Sequence, residues 1–360
     1  MLELVPKIIA YNMFKRFNFP KVLPIFLTIS VNDWCNSMCK TCNIWMNKSY
    51  EKIKEELKLD EFQKIFKNYG KTYWITITGG EPFLRNDLVE VVKTIYDNTY
   101  PKIMTIATNG TIPERIVSWT SQILESCRRL KLIINTSLDG IGEQHDEIRG
   151  FKKNYERVVE TINGLKSLNN PRLIVGINSV ISMFNVSNFS NIYYHIIQNL
   201  KPDSYIAEVA ENRAKLYNME IKITPEYDEY KKALFFLIKE FKKQNKSDIP
   251  DIIRNLRIEF YRYLIFNYPM EIFEGIASCY IMSNGEVWLS YSMPFIAGNL
   301  REVNYDFKKI WFNNKANEFR KIMKNGYSTM VANSFYTNFV CNLNKIMGLW
   351  LKNMINSLFK

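Results

Sequence analysis

The chain has 360 residues, 47% of them hydrophobic, with only 14 Gly and 12 Pro, enough for one barrel-sized domain and a smaller one. No apolar run is long enough to span a bilayer, and Met1-Leu2-Glu3-Leu4 lacks the basic start and apolar core of an export signal, so a reducing cytoplasmic setting is expected for the six cysteines. Lys and Arg (48) outnumber Asp and Glu (36), a net charge of +12; no nucleic-acid-binding module accompanies it, so the excess reads mainly as solvated surface favouring acidic partners.

Residues 1–22 form an amphipathic segment. Val5, Ile8, Ile9, Met13 and Phe17 stand against Lys7, Lys15 and Arg16. Such a helix either lies in a membrane interface or packs on the domain that follows. A strand over 25–30 then runs into Cys35, Cys39 and Cys42, spaced C-x3-C-x2-C. This supplies three thiolates and no fourth. Three thiolates suit an iron–sulfur cube with one open iron. Zinc and C-x-x-C redox chemistry are the competing readings. A zinc site wants a second ligand pair, and the two histidines, His145 and His195, form none.

Short strands rich in Ile, Val, Thr or Tyr follow at 73–78, 103–107, 131–137, 172–180 and 204–210. Helical patterns at 60–68, 87–97, 113–127, 154–168 and 188–199 alternate with them. The alternation predicts an α/β fold with parallel strands and right-handed crossovers. Strand two ends in Gly79-Gly80-Glu81-Pro82, strand three in Thr108-Asn109-Gly110, and strand four in Ser137-Leu138-Asp139-Gly140. In such folds the C-terminal strand ends form the ligand face, so Asn109 and Asp139 are placed at one mouth. Strand six should turn Tyr205, Ala207 and Val209 to one face and Glu208 to the other. His145 reads as structural, Cys127 as a core thiol, and His195 as a helix-face residue without a partner. Residues 224–270 read as helical.

In this order and spacing, the cysteine loop, the Gly-Gly-Glu-Pro turn, the Thr-Asn-Gly and Ser-Leu-Asp-Gly turns and Arg149-Gly150 resemble the radical S-adenosylmethionine (radical SAM) superfamily. The likeness is greatest to the branch with a C-terminal SPASM or twitch domain. It implies a (β/α)6 partial TIM-type barrel with a lateral mouth for a large substrate, followed by a small α+β extension. It implies one 4Fe–4S cluster on Cys35, Cys39 and Cys42, with SAM chelating the open iron. SAM contacts carried over are Gly79, Gly80, Glu81, Pro82, Asn109, Ser137, Asp139, Arg149 and Glu208. Gly79 to Pro82 would receive the amino group, and Arg149 offers a bidentate fork for the carboxylate. Thr41 departs from the aromatic residue frequent before the third cysteine, so its packing role is expected to pass to Ile44 or Trp45.

The last third resembles half of a SPASM domain. Cys279, the Asn284-Gly285 hairpin turn, Gly298-Asn299-Leu300 and Trp311 match it, but Ser290 stands where the second cysteine belongs. Lys324 to Thr329 replaces the later cysteine cluster, and only Cys341 follows. Serine is a poor ligand for a soft cluster, so the extension is expected to persist without an auxiliary cluster. The tail, with Leu343, Ile346, Met347, Trp350, Leu351, Met354, Ile355 and Leu358 on one helical face, is a second amphipathic segment. The expected organisation is therefore 1–22 amphipathic segment, 23–215 barrel, 216–272 helical bridge, 273–341 degenerate SPASM/twitch-like domain and 342–360 amphipathic helix. The expected activity is reductive SAM cleavage and hydrogen abstraction from a peptide or protein. Modification of a membrane lipid or lipid-linked glycan, and a non-catalytic iron–sulfur scaffold, are the alternatives. The short segment before strand one leaves little room for a peptide-recognition domain. Expected partners are a reductant such as ferredoxin or flavodoxin and possible peripheral membrane contact. No catalytic acid, base or hydrogen donor is assigned.

Overall fold

A computed structural model describes residues 4–47, 54–243, 251–290, 295–323 and 332–342, with Lys345 and Gly348. Six strands, β1 (Phe26–Ser30), β2 (Trp74–Thr78), β3 (Ile103–Thr108), β4 (Lys131–Ser137), β5 (Leu173–Ile181) and β6 (Ser204–Val209), pair in parallel in sequence order. Each lies within about one residue of its expected place, because β-branched runs bounded by Gly, Asn or Asp leave little freedom in strand limits. β7 (Ser278–Ile281) adds in parallel to the free edge of β1, and β8 (Glu286–Trp288) and β9 (Ile296–Asn299) follow antiparallel. The sheet thus has nine strands ordered β6-β5-β4-β3-β2-β1-β7-β8-β9.

Helices α2 (Leu59–Lys67), α3 (Leu88–Thr99), α4 (Pro113–Ser126), α5 (Glu143–Arg149), α6 (Asn154–Ser167) and α7 (Phe189–His195) fill the crossovers. Their buried faces, such as Val91, Val92 and Ile95 on α3, meet Ile75, Ile77, Met104 and Ile106 from the strands. Burial of such side chains stabilises the fold by about 2 kcal/mol each. β6 alternates as expected, with Tyr205, Ala207 and Val209 in the core and Glu208 turned inward. α7 runs on into a π-helical turn, Ile196–Leu200. His195 does have partners there, contrary to expectation: Nε2 meets the Tyr155 hydroxyl at 2.5 Å and Nδ1 the Asn199 amide at 3.0 Å.

After β6 come α8 (Tyr227–Lys243) and α9 (Asp251–Phe266), then β7 to β9, α10 (Phe307–Trp311), α11 (Asn314–Ile322) and α12 (Ala332–Cys341). α12 bridges β6 and β7. Ala332 N–H donates to Glu208 of β6 at 3.1 Å, while the Ser334 hydroxyl meets that of Tyr280 on β7 at 3.3 Å. Phe335 packs on Phe260 and Tyr263 of α9. Among the described residues, no helix is long and apolar enough to cross a membrane.

The N-terminal α1 (Val5–Phe17) divides its apolar residues. Ile8, Tyr11 and Phe14 are buried against Ile25, Phe273, Ile276 and Val340, whereas Ile9, Met13 and Phe17 are exposed. The Lys324 to Thr329 run lies outside the described residues, and so does the C-terminal amphipathic segment apart from Lys345 and Gly348.

Candidate active site

The three cysteines sit on a loop after β1 that has almost no regular structure, so other segments hold it. Backbone carbonyls of the loop begin the stitching: Gly80 N–H donates to Asn32 O at 3.0 Å, and Glu81 N–H to Trp34 O at 2.8 Å. The Asn32 side-chain amide donates to Glu81 O at 2.8 Å. A Cβ on Gly80 would lie 2.0 Å from Trp34 O, so only glycine permits this approach. On the far side Lys40 N–H donates to Ile148 O at 2.8 Å. Gly150, at φ +59°, leaves no space for a Cβ, which would meet Met38 O at 2.1 Å.

Glu81 is buried, and its carboxylate is used within the protein. Oε1 accepts from Phe83 N–H and the Thr108 hydroxyl, and Oε2 accepts from Asn109 N–H at 2.6 Å. Burial pushes its pKa up to about 7 against these three hydrogen bonds. Glu81 therefore joins two strand-end turns, and no arginine pairs with it. Asn109 acts similarly: its amide donates to Asn36 Oδ1 at 2.8 Å and Ser37 Oγ at 3.0 Å and lies 3.8 Å from Cys35 Sγ.

Arg149, the last residue of α5, places its guanidinium against the cysteines. Its Nη1 donates to Asp139 Oδ2 at 3.0 Å, while the buried Nε has no partner. Burial opposes its charge, but Cys39, Asp139 and Cys35 outweigh burial and raise its pKa. Asp139 is itself fully buried. Its Oδ1 accepts from Val180 N–H at 2.7 Å, and its own N–H donates to His145 Nδ1 at 3.0 Å. His145 is thus structural, as expected, and burial lowers its pKa to about 3.

All of this surrounds one cavity of about 200 Å³ at the C-terminal ends of the strands. Cys35, Cys39, Cys42, Gly79, Gly80, Glu81, Asn109, Ser137, Arg149 and Glu208 line it. Two expected contacts do not. Pro82 is buried at the start of a 3-10 turn, where its missing N–H is harmless, and Asp139 stands behind Arg149. Thr41 and Ile44 line the cavity; Trp45 does not. Sequence reading missed the wall from Arg213 to Ile223. Arg213 pairs with Glu211 at 2.6 Å, and Asn218 donates to Thr41 O at 2.8 Å, drawing this irregular segment over the cysteine loop. A clue was available in its run of polar residues directly after a strand end.

Among the described residues, no three His, Cys, Asp or Glu side chains converge on a single metal ion. Burial raises the thiol pKa values, to about 12 at Cys35 and about 11 at Cys42. The orphaned Arg149 Nε, the three cysteines and the close-packed Gly80 backbone therefore fit a 4Fe–4S cluster with SAM beside it.

In the extension, Ser290 is buried and its hydroxyl donates to Glu274 Oε2 at 2.5 Å. Cys279 lies in the apolar core opposite Leu27, and Cys341 is buried beside α1. Gly285 turns the β7–β8 hairpin at φ +86°, and Trp311 is buried with its Nε1 donating to Val22 O at 2.8 Å.

A parallel sheet with three cysteines, a Gly-Gly-Glu turn and an arginine at its C-terminal edge defines an enzyme of the SAM-cleaving iron–sulfur class. Residues 29–192 match the radical SAM superfamily, whose members use a 4Fe–4S cluster and SAM. The AdoMet-dependent heme synthase of Methanosarcina barkeri is 26% identical over 327 residues, 86% of each chain. GTP 3',8-cyclase of Pasteurella multocida is 28% identical over 148 residues, 36% of this chain and 41% of that protein. Sporulation killing factor maturation protein SkfB of Bacillus subtilis is 27% identical over 157 residues, 42% of this chain and 35% of that protein. The fold is shared with anSMEcpe with bound AdoMet (TM-score 0.61, 16% identity, 93% of this chain, 100% of that chain). It is also shared with Streptococcus suis SuiB bound to precursor peptide SuiA (TM-score 0.60, 15% identity, 89% of this chain, 71% of that chain).

Proposed function

We propose that this enzyme modifies a peptide or protein by abstracting a hydrogen atom from an unactivated C–H bond. The observation that carries the chemistry is the convergence of Cys35, Cys39, Cys42, Gly80 and Arg149 on one cavity. A bound 4Fe–4S cluster would supply the electron for reductive SAM cleavage, the source of the hydrogen-abstracting group. Cys35, Cys39 and Cys42 would hold the cluster. Arg149, oriented by Asp139, would fix the SAM carboxylate through its free Nε–H. The backbone of Gly79 to Glu81 would receive the SAM amino group, with Ser137 and Glu208 beside the nucleoside. The wall from Arg213 to Ile223 excludes water from one side of the cavity.

The peptide reading draws on SkfB, a maturation protein, and on SuiB with its precursor peptide. The competing small substrate is a tetrapyrrole, because the heme synthase aligns over most of both chains. A ferredoxin or flavodoxin would supply the electron. With the second cysteine position taken by Ser290, the reading includes a single cluster.

The test is anaerobic. Reconstituted protein with SAM and dithionite should form 5'-deoxyadenosine, and Cys39→Ala should form none. Formation by Cys39→Ala, or none by wild type in the presence of peptide, tetrapyrrole and lipid extracts, would refute SAM cleavage at this site. Mass spectrometry of the extract that accelerates turnover identifies the substrate class.

A further inference from the structure

α1 meets the barrel with one face only. On the other, Ile9, Met13 and Phe17 follow at intervals of four, 46%, 41% and 72% exposed, and Phe19 is 67% exposed just beyond. Residues four apart on a helix are neighbours, so these side chains make one apolar stripe. An exposed stripe ending in two phenylalanines is not ordinary surface scatter.

Its electrostatic surroundings are cationic. α1 contains Lys7, Lys15 and Arg16 and no Asp or Glu. Exposed Arg16 and Lys21 flank Phe17 and Phe19. Exposed Lys308 and Lys309 lie on α10, whose Trp311 donates to Val22 O. Lys15 is ion-paired with Glu271 at 3.0 Å. The whole chain carries +12. A cationic rim around an apolar stripe matches an anionic headgroup layer over acyl chains; a like-charged second copy would be repelled.

We propose that this face of α1 docks the enzyme on an anionic bilayer as a peripheral anchor. The anchor has a direction. α1 packs on Ile25 and Ala277, the residues just before β1 and β7, so it lies at the N-terminal ends of the strands. The SAM cavity opens at their C-terminal ends, about 16 Å away along a five-residue strand. A docked enzyme therefore turns its reaction mouth toward water. Resting on the function proposed above, this favours a water-soluble peptide or protein over the acyl region of a lipid as substrate.

The test uses the full-length, cluster-loaded chain and vesicles of phosphatidylcholine with or without phosphatidylglycerol. Wild type should co-sediment at least tenfold more strongly with the anionic vesicles. Met13→Glu/Phe17→Glu should lose at least tenfold of that binding, and Arg16→Glu should lose several-fold. Both should keep their melting temperature and 5'-deoxyadenosine formation, so a failed anchor is distinguishable from failed SAM chemistry. Absent binding to anionic vesicles, or binding unchanged in the double variant, overturns the proposal. So does binding removed by Trp350→Glu but not by the double variant, which would move the contact to the tail. Concentration-dependent dimerisation abolished by the double variant, without vesicle binding, would assign the stripe to a second copy and overturn it too.

Discussion

Arg149 illustrates how a residue's role is made by its neighbours. Its Nη1 is committed to Asp139 and its Nε is free, so one planar group is at once anchored and available. Lysine would keep the charge but could not hold Asp139 and a carboxylate along two fixed directions. Arg149→Lys should raise the KM for SAM at least tenfold with a smaller effect on kcat, as expected when ground-state binding is lost. Asp139 is a positioning residue in the same arrangement. Both residues were legible as candidates from their turn and helix-end positions, each as a SAM contact in its own right. The structure stacks them, because the carboxylate also has to accept the Val180 N–H across the sheet. Glu81 and Asn109 line the cavity, yet their side chains also bond within the protein: polar groups at a buried strand end satisfy one another.

At the scale of elements, one of the ties between the extension and the barrel is a charged fork. Arg301 donates to Glu61 of α2 through Nε at 2.7 Å and Nη2 at 3.0 Å, and the Tyr305 hydroxyl donates to the same carboxylate at 2.9 Å. The Arg301 hydrogen bonds are the main cause that brings the Glu61 pKa down to about 2. Because the folded pKa lies below the ordinary value of 4.5, this contact stabilises the protein above about pH 4.5. Its contribution is lost as pH falls toward 2. Arg301→Ala should cost about 2 kcal/mol at pH 7 in urea unfolding, and the difference from wild type should shrink progressively below pH 4.5. An undiminished difference at pH 3 would place the stabilisation elsewhere. The strands and crossover helices were legible because each carries its own period. The bridging of β6 and β7 by α12 was not, since its partners Glu208 and Tyr280 are distant in sequence.

For the whole molecule, the extension has the hairpin and the buried tryptophan, while Ser290 and Cys279 belong to ordinary interior. Ser290 is bonded to Glu274, and burial pushes Glu274 up to about 7, so this site offers no soft ligand set. Reconstituted protein should hold about four irons per chain, the content of one cube, and Cys35→Ala/Cys39→Ala should reduce this to near zero. About eight irons, or four retained by the double variant, would restore an auxiliary cluster.

The sequence by itself determined the strand order, the three-thiolate loop and the turns that surround it, because local period and turn chemistry are properties of neighbouring residues. It also carried the amphipathic character of α1, but not which apolar residues would be buried. Only the tertiary structure decided that Ile8, Tyr11 and Phe14 face the barrel while Met13 and Phe17 face solvent. The same holds for Pro82 and Asp139 behind the cavity wall, and for the segment from Arg213 to Ile223 in front of it. Periodicity names the residues that could be buried; packing against segments far along the chain decides which of them are.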